Sequence, residues 1–447
     1  MADDERAEAD VPDSAADNSD CEEPLWRNKS YVALFAAQIV SLAGSGLTTI
    51  GLALFAYQFV GGASATAVIG NALTLRILAF LVFSQPAGVL ADRVDRKRIL
   101  IAADLVRFGL LAFFPFVTAV WQIYALIFAV NAVTAFFTPT FEASLPSVVG
   151  GKRYVKALSL SRVAVDVEAV ASPALAGLIV AYASVRWLFW FDALTYLVSA
   201  LLVLAATVPR VVTTVAALSP STLFGELTHG SRILLGEPSL RRALLLSVAE
   251  ATAGAAAIVV TVAYVEGDLG RSATAFTLVM AGLGLGSTVT ALLLGRATRR
   301  FERHAAGGAL HAARHAWTSR ALLAGGAALS LSLLPGELVP PLALFAMLWV
   351  LNGAGQALVA ISSSTLLAEH TAERERGRVY AAHFALTHAF WLVSYPAVGH
   401  AAARWGAPLT FTVAGFVCLA VTGLAAFAGP RNLPPHAHPR RDALDGT

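Results

Sequence analysis

Four ionisable residues stand near the middle of long apolar runs in this sequence: Arg76, Asp166, Glu168 and Glu250. Arg162 lies one helical turn from Asp166. A charge at the centre of a bilayer costs roughly 2.5–3.5 kcal/mol on insertion scales, so each such group needs a partner, water or a role. A carboxyl that is dry in one state and wetted in another can take up and release a proton. The Arg162–Asp166 spacing puts both groups on one helix face, which suits a fixed ion pair at least as well as a proton shuttle. Glu168 has no local partner, and Arg76 is a candidate counter-ion for one of the acids. Asp104 and Arg107, three apart, read as a local structural pair, while Asp192 and Glu142 stand nearer the ends of their runs. Other chemistry finds no footing. Cys21 and Cys418 have no metal-ligand or disulfide spacing, and the sequence holds neither H-E-x-x-H nor G-x-x-x-x-G-K-[ST]. Glu369-His370 is the nearest approach to a catalytic pair, so an intramembrane enzyme is the reading from another class. No cofactor, no metal and no nucleic-acid partner are expected.

The elements that must position these residues are membrane helices. Of 447 residues 57% are hydrophobic and 14% charged. Apolar runs fall near 31–60, 65–90, 99–120, 122–147, 157–183, 186–208, 241–264, 273–297, 318–335, 339–367, 378–404 and 408–428. Each is close to the twenty or so residues that span a bilayer as a helix. A β-barrel would show short alternating segments instead. With twelve spans both termini share a side. The tails, the loops after even-numbered runs and the run ends beside them hold 26 of the 32 Lys and Arg residues. The positive-inside rule then predicts a multi-pass protein of the plasma (inner) membrane with both termini cytoplasmic.

The chain repeats itself. Ser64-Ala65-Thr66 opens the second run and Ser272-Ala273-Thr274 the eighth. Gly88 and Gly295 close those runs before basic clusters, GVLADRVDRK and GRATRRFERH. Asn131 pairs with Asn352, and Pro173-Ala174 with Pro396-Ala397, after one insertion in the His- and Arg-rich stretch 301–317. Two parallel six-helix repeats are a transporter architecture. The expected organisation is a disordered acidic tail (1–25), a six-helix bundle (26–208), a linker with one amphipathic surface helix near 223–235 (209–240), a second bundle (241–429) and a C-terminal tail (430–447).

GVLADRVDRK, together with twelve spans, resembles the major facilitator superfamily. LPSVVGG (145–151) and SPALAG (172–177) are similar to its enterobactin-exporter and macrolide-efflux branch. The resemblance covers about 27–430. It implies an all-α fold of two pseudo-symmetric six-helix bundles around a central cavity lined by spans 1, 4, 7 and 10. It makes the loop of Gly88, Asp92, Arg93, Arg96 and Lys97 a gate. There Asp92 would meet a helix N-terminus and Arg93 a carboxylate. It makes Glu250, on the seventh span, the first choice of coupling acid. It places Gln38, Ser41, Asn131, Thr134, Asn352 and Gln356, with Phe136 and Trp391, around a bulky amphipathic substrate. Drug–proton antiporters of this superfamily carry an arginine midway along the fourth span. This chain has none there, so the acids of spans 5 and 7 become the candidates. The function implied is export of a hydrophobic or amphipathic small molecule by alternating access and proton antiport, in a monomer within the lipid bilayer. An uptake carrier or uncoupled facilitator shares the architecture. One proton crossing about 100 mV supplies about 2.3 kcal/mol, enough for about a 50-fold gradient.

Overall fold

The computed structural model describes residues 25–209, 220–304 and 308–428. The expected disordered N-terminal tail and the C-terminal tail lie outside the described residues. Thirteen α-helices follow one another, with no strand among the described residues. They are α1 (Lys29–Val60), α2 (Ser64–Arg93), α3 (Arg96–Phe113), α4 (Val120–Val149), α5 (Gly151–Tyr182) and α6 (Arg186–Ala205). After the join come α7 (Pro220–Gly236), α8 (Pro238–Val259), α9 (Ala273–His304), α10 (Gly308–Leu333), α11 (Leu342–His370), α12 (Arg376–Trp405) and α13 (Ala407–Phe427). Eleven of them are long and apolar enough to cross a membrane. Sequence reading counted twelve spans. The remaining one, α12, has the length (30 residues), but Arg376, Arg378, His383, His388 and His400 lower its hydropathy.

Local chemistry sets the helix ends. Asn28 caps α1, its side chain accepting from Tyr31 N while its own amide donates to Val148 O at 2.8 Å, which ties α1 to the end of α4. Asp95 caps α3 by accepting from Lys97 N. Gly150 and Gly406, at φ 78° and 86°, turn α4 into α5 and α12 into α13, a backbone region that favours glycine.

The packing repeats. Helix α1 lies against α5 and α6, α2 against α4, and α3 against α4 and α6. The same relations recur as α8 with α12 and α13, α9 with α11, and α10 with α11 and α13. Two cross-pairs join the bundles, α2 with α12 and α5 with α9. Small residues let these helices touch, as membrane interfaces require. Gly70 lies on Tyr395 and Gly399, Gly284 on Ala169 and Val170, and Gly177 on Thr277. Thr66 donates its hydroxyl to Gly399 O at 2.8 Å across the seam. Glycines of the AGLGLGS stretch serve the same end, Gly286 lying against Val350 inside the second bundle.

The seam is not uniform along its length. The face carrying the α2–α3, α4–α5 and α11–α12 loops is here called the basic face. Remote from it, α2, α5, α9 and α12 bury successive turns: Ile69 and Leu73, Ser172 and Ala176, Phe276 and Met280, Val398 and Ala402. The cross-bundle contacts named above, at Thr66, Gly70, Gly177 and Gly284, all fall in this remote half of the seam. One apolar core joins the remote halves of both bundles and continues through the second bundle to its basic-face end, whereas a second, around Tyr31, Phe137, Phe141 and Val203, belongs to the first bundle alone. The bundles are sealed together on the remote face and part toward the basic one. Helix α7 packs along α12, where Gly230 meets Arg378 and His229 contacts Glu375 at 3.0 Å.

Candidate functional site

Inside the first bundle, α1, α2, α4 and α6 enclose a cavity of about 60 Å³, room for a few ordered waters. Ser45, Thr48, Thr49, Arg76, Asn131, Thr134, Asp192 and Tyr196 supply its polar wall, and Leu52, Leu73, Ile127 and Val130 the rest. Three residues named from sequence, Arg76, Asn131 and Thr134, therefore meet at one place. Asn131 and Thr134 donate to the carbonyls of Ile127 and Val130 one turn back, at 2.7 and 2.8 Å. Arg76 donates to Thr49 Oγ1 at 3.3 Å. It also lies within electrostatic reach of Glu168 on α5 and Tyr395 on α12, the counter-ion position sequence left open.

The deepest acid of this cavity is one that sequence reasoning set aside. Asp192 is fully buried. Thr48 donates a hydrogen bond to its Oδ2, and the Thr195 hydroxyl, which donates to the Asp192 carbonyl at 2.7 Å, also lies 3.2 Å from its Oδ1. Gly44 of α1 packs directly on the carboxyl, with no room for a Cβ. One turn along α6, the Tyr196 hydroxyl pairs with that of Ser45 at 3.0 Å. The Tyr196 ring and that of Phe137 flank the Arg107 guanidinium at 4.2 and 4.3 Å. Arg107 is ion-paired to Asp104, which accepts from Ser199 at 2.7 Å, and this charged pair is buried. Depth judged by residue count missed Asp192. A signal was present: Asp192, Tyr196 and Ser199 form a polar stripe at helical spacing in an otherwise apolar helix.

The other acids lie outside this cavity. Glu168 Oε1 accepts from Ser172 at 3.0 Å and abuts Gly46 of α1. Glu250 is half-buried on α8, the counterpart of α1, and has no hydrogen-bond or ion-pair partner among the described residues. One turn further along α8 the Trp391 ring covers Gly254, and Trp391 lies 5.2 Å from the Tyr395 ring. The side chain of Asp166 lies outside the described residues. Its expected partner Arg162 is exposed, and its charge reaches Glu142 on α4.

The remaining candidates are dispersed. Asn352 is buried, donates to Ser332 Oγ on α10 at 2.9 Å and accepts from Gln356 at 2.7 Å, so this amide pair bonds within the second bundle. Ser41 is buried on α1, and the Gln38 amide oxygen is buried without a partner among the described residues. Phe136 lies against Phe83 of α2. In the loop motif, the Asp92 side chain and the surroundings of Gly88 fall outside the described residues, and Arg93 is exposed. Arg96 donates to Ala143 O at 2.6 Å. Lys97 donates to the carbonyls of Leu204 and Ala206 at 2.7 and 2.8 Å, at the C-terminus of α6 where a cation is favoured. Both cations thus bind within their own bundle.

Comparison with known proteins agrees with this architecture. The model of the Major Facilitator Superfamily matches residues 34–313 and 243–444. The chain is 28% identical over 227 residues to macrolide efflux protein A of Streptococcus pyogenes, a match covering 49% of this chain and 55% of that one. It thus spans about half the length of that relative. It is 26% identical over 419 residues to the uncharacterized MFS-type transporter YfiS of Bacillus subtilis, covering 92% and 95%. To the enterobactin exporter EntS of Shigella boydii it is 26% identical over 176 residues, covering 36% and 40%. A bacterial homolog of the human lysosomal transporter Spinster, solved inward-facing and unoccupied, superposes with TM-score 0.68 at 14% identity, covering 91% of this chain and 96% of that one. A POT family transporter in complex with 5-aminolevulinic acid gives 0.67 at 12%, covering 89% and 95%. Two six-helix bundles with one repeated packing scheme, joined through α2–α12 and α5–α9 and matched along nearly their whole length, make this chain a member of the Major Facilitator Superfamily.

Proposed function

We propose that this transporter exports a hydrophobic or amphipathic small molecule by alternating access, driven by proton antiport. The basic face is cytoplasmic, and residues 26–208 and 241–429 are the two units that rock about the seam. The names of the macrolide and enterobactin relatives favour export and a bulky cargo. The observation that carries the coupling is Glu250, an intramembrane acid on α8 with no partner among the described residues. Such a group is a functional site by default, because neither an ion pair nor a hydrogen-bond network explains its retention. Glu168, with Arg76 as its charged neighbour, is the second acid of the route. When the remote face parts, the Gly88–Lys97 loop closes the basic one, with Asp92 and Arg93 as its reaching groups.

Erythromycin accumulation in cells expressing the wild type and Glu250→Gln tests this reading. Wild type should lower accumulation in a manner abolished by an uncoupler, and Glu250→Gln should lose that effect while still reaching the membrane. Undiminished export by Glu250→Gln would remove it as the coupling acid. Macrolide exclusion that an uncoupler leaves unchanged would remove proton antiport.

A further inference from the structure

We propose that Asp192, with Thr48 and Thr195, is a second proton-binding site, built into the first bundle and reached through the water-sized cavity beside it. The inference rests on the proton-antiport reading and adds a site which that reading does not require. Its geometry is that of an enclosed acid with a door. The carboxyl is fully buried, held by one hydroxyl from α1 and one from α6, and backed by Gly44. No Lys, Arg or His stands within ion-pair distance of it among the described residues. Hydroxyl donors support the charged form while enclosure opposes it. That balance belongs to a group that exchanges a proton rather than one fixed in either state.

The charged and titratable groups around it are few. Helix α1 offers Ser45, Thr48 and Thr49, and α4 only Asn131 and Thr134. Helix α2 contributes Arg76 on the cavity wall. Helix α3 contributes Arg107 and Asp104, already paired to each other behind the Tyr196 ring. Arg76 is exposed and near Glu168, so the cavity leads from Asp192 to the seam. The seam in turn parts toward the basic face. Release therefore breaks the O–H bond of the Asp192 acid and hands its proton to cavity water, leaving a carboxylate that Thr48 and Thr195 hold. Uptake is the reverse. A purely structural Asp192 would cap the two threonines and never titrate.

Infrared difference spectra of the purified full-length protein, recorded between about pH 5 and pH 9, test this without any cargo. The wild type should show a carboxylic C=O band that disappears at high pH, shifts in D2O, and is absent from Asp192→Asn. Thr48→Val and Arg76→Gln should each displace its midpoint, which keeps the test usable where Asp192→Asn folds poorly. Wild-type and Asp192→Asn spectra that superimpose, or midpoints unmoved by both neighbouring substitutions, would overturn the proposal. So would a band titrated by Na+ and not by K+ at fixed pH, which would make the occupant a metal cation. Failure of proton antiport reads differently: macrolide export by the wild type then ignores an uncoupler, whatever the infrared bands do.

Discussion

Valine at Gly399 should break the remote-face seal without unfolding the protein. A Cβ there meets the carbonyl of Thr66, and one at Gly70 meets the carbonyl of Tyr395. Both obstacles are backbone and cannot swing aside, so α2 and α12 must separate. Separation stretches the Thr66–Gly399 hydrogen bond, worth about 0.6 kcal/mol on average between membrane helices. Overpacking adds about 1–3 kcal/mol. Together about 1.6–3.6 kcal/mol is removed from the sealed state, and at 1.4 kcal/mol per tenfold the sealed:parted ratio falls about 10- to 400-fold. The reporter is a pair of cysteines at Tyr57 and Gly267 joined by a bismaleimide, which spans the gap left when the Tyr57 ring, whose hydroxyl lies against Gly267 of the turn after α8, is removed. Cys21 and Cys418 are first replaced. Cross-linking should be fast in the parent, strongly slowed by Gly399→Val, and unchanged by Gly109→Val, whose Cβ meets open space. Equal cross-linking in Gly399→Val and parent, with equal thermal stability in detergent, would refute the assignment of this contact as the seal.

Glu266 adds pH dependence to the same seal. It sits in the π-helical turn Ala263–Asp268, and its Oε1 is buried without a partner among the described residues. Burial pushes its carboxyl up from 4.5 to about 7. An acid raised in the sealed form costs that form nothing below about pH 4.5, and the penalty is complete above about pH 7. Tyr57–Gly267 cross-linking should therefore weaken as pH rises through that window, and Glu266→Gln should flatten the response. In the first bundle, Asp104→Asn leaves Arg107 buried without its carboxylate, so thermal unfolding in detergent should report a loss of about 3–5 kcal/mol. Replacing both, as Asp104→Leu with Arg107→Met, should recover most of it, because the pair's desolvation penalty disappears with its attraction.

The helical runs, the repeat and the charge asymmetry were legible in the sequence because each depends on local composition. Lipid demands apolar stretches of fixed length, and loops on one side collect Lys and Arg. Roles that depend on which helix faces which were not legible. Asn131 and Asn352 occupy equivalent places in the repeat, yet one borders a cavity and the other is spent on Ser332 and Gln356. Arg96 and Lys97 share a loop motif with Arg93, yet they cap carbonyls of their own bundle while Arg93 is exposed. Asp192 was passed over because distance along a helix is a poor measure of burial when α1 is packed over it through Gly44.

That packing gives α1 a particular place in the argument. Two glycines two residues apart bring its backbone against two acids on different helices, Gly44 against Asp192 of α6 and Gly46 against Glu168 of α5. Between them Thr48 bonds one acid, and Thr49 accepts from Arg76, the charged neighbour of the other. A proton gained or lost at either site changes the forces on the same helix, since charge in a low-dielectric interior is weakly screened. In its last turn α1 also carries Tyr57, against the remote-face turn that carries Glu266. A single element thus touches two acids of the first bundle, Asp192 and Glu168, and the seal that parts in the proposed cycle. In that cycle, coupling between protonation and gating needs no longer path than the length of α1.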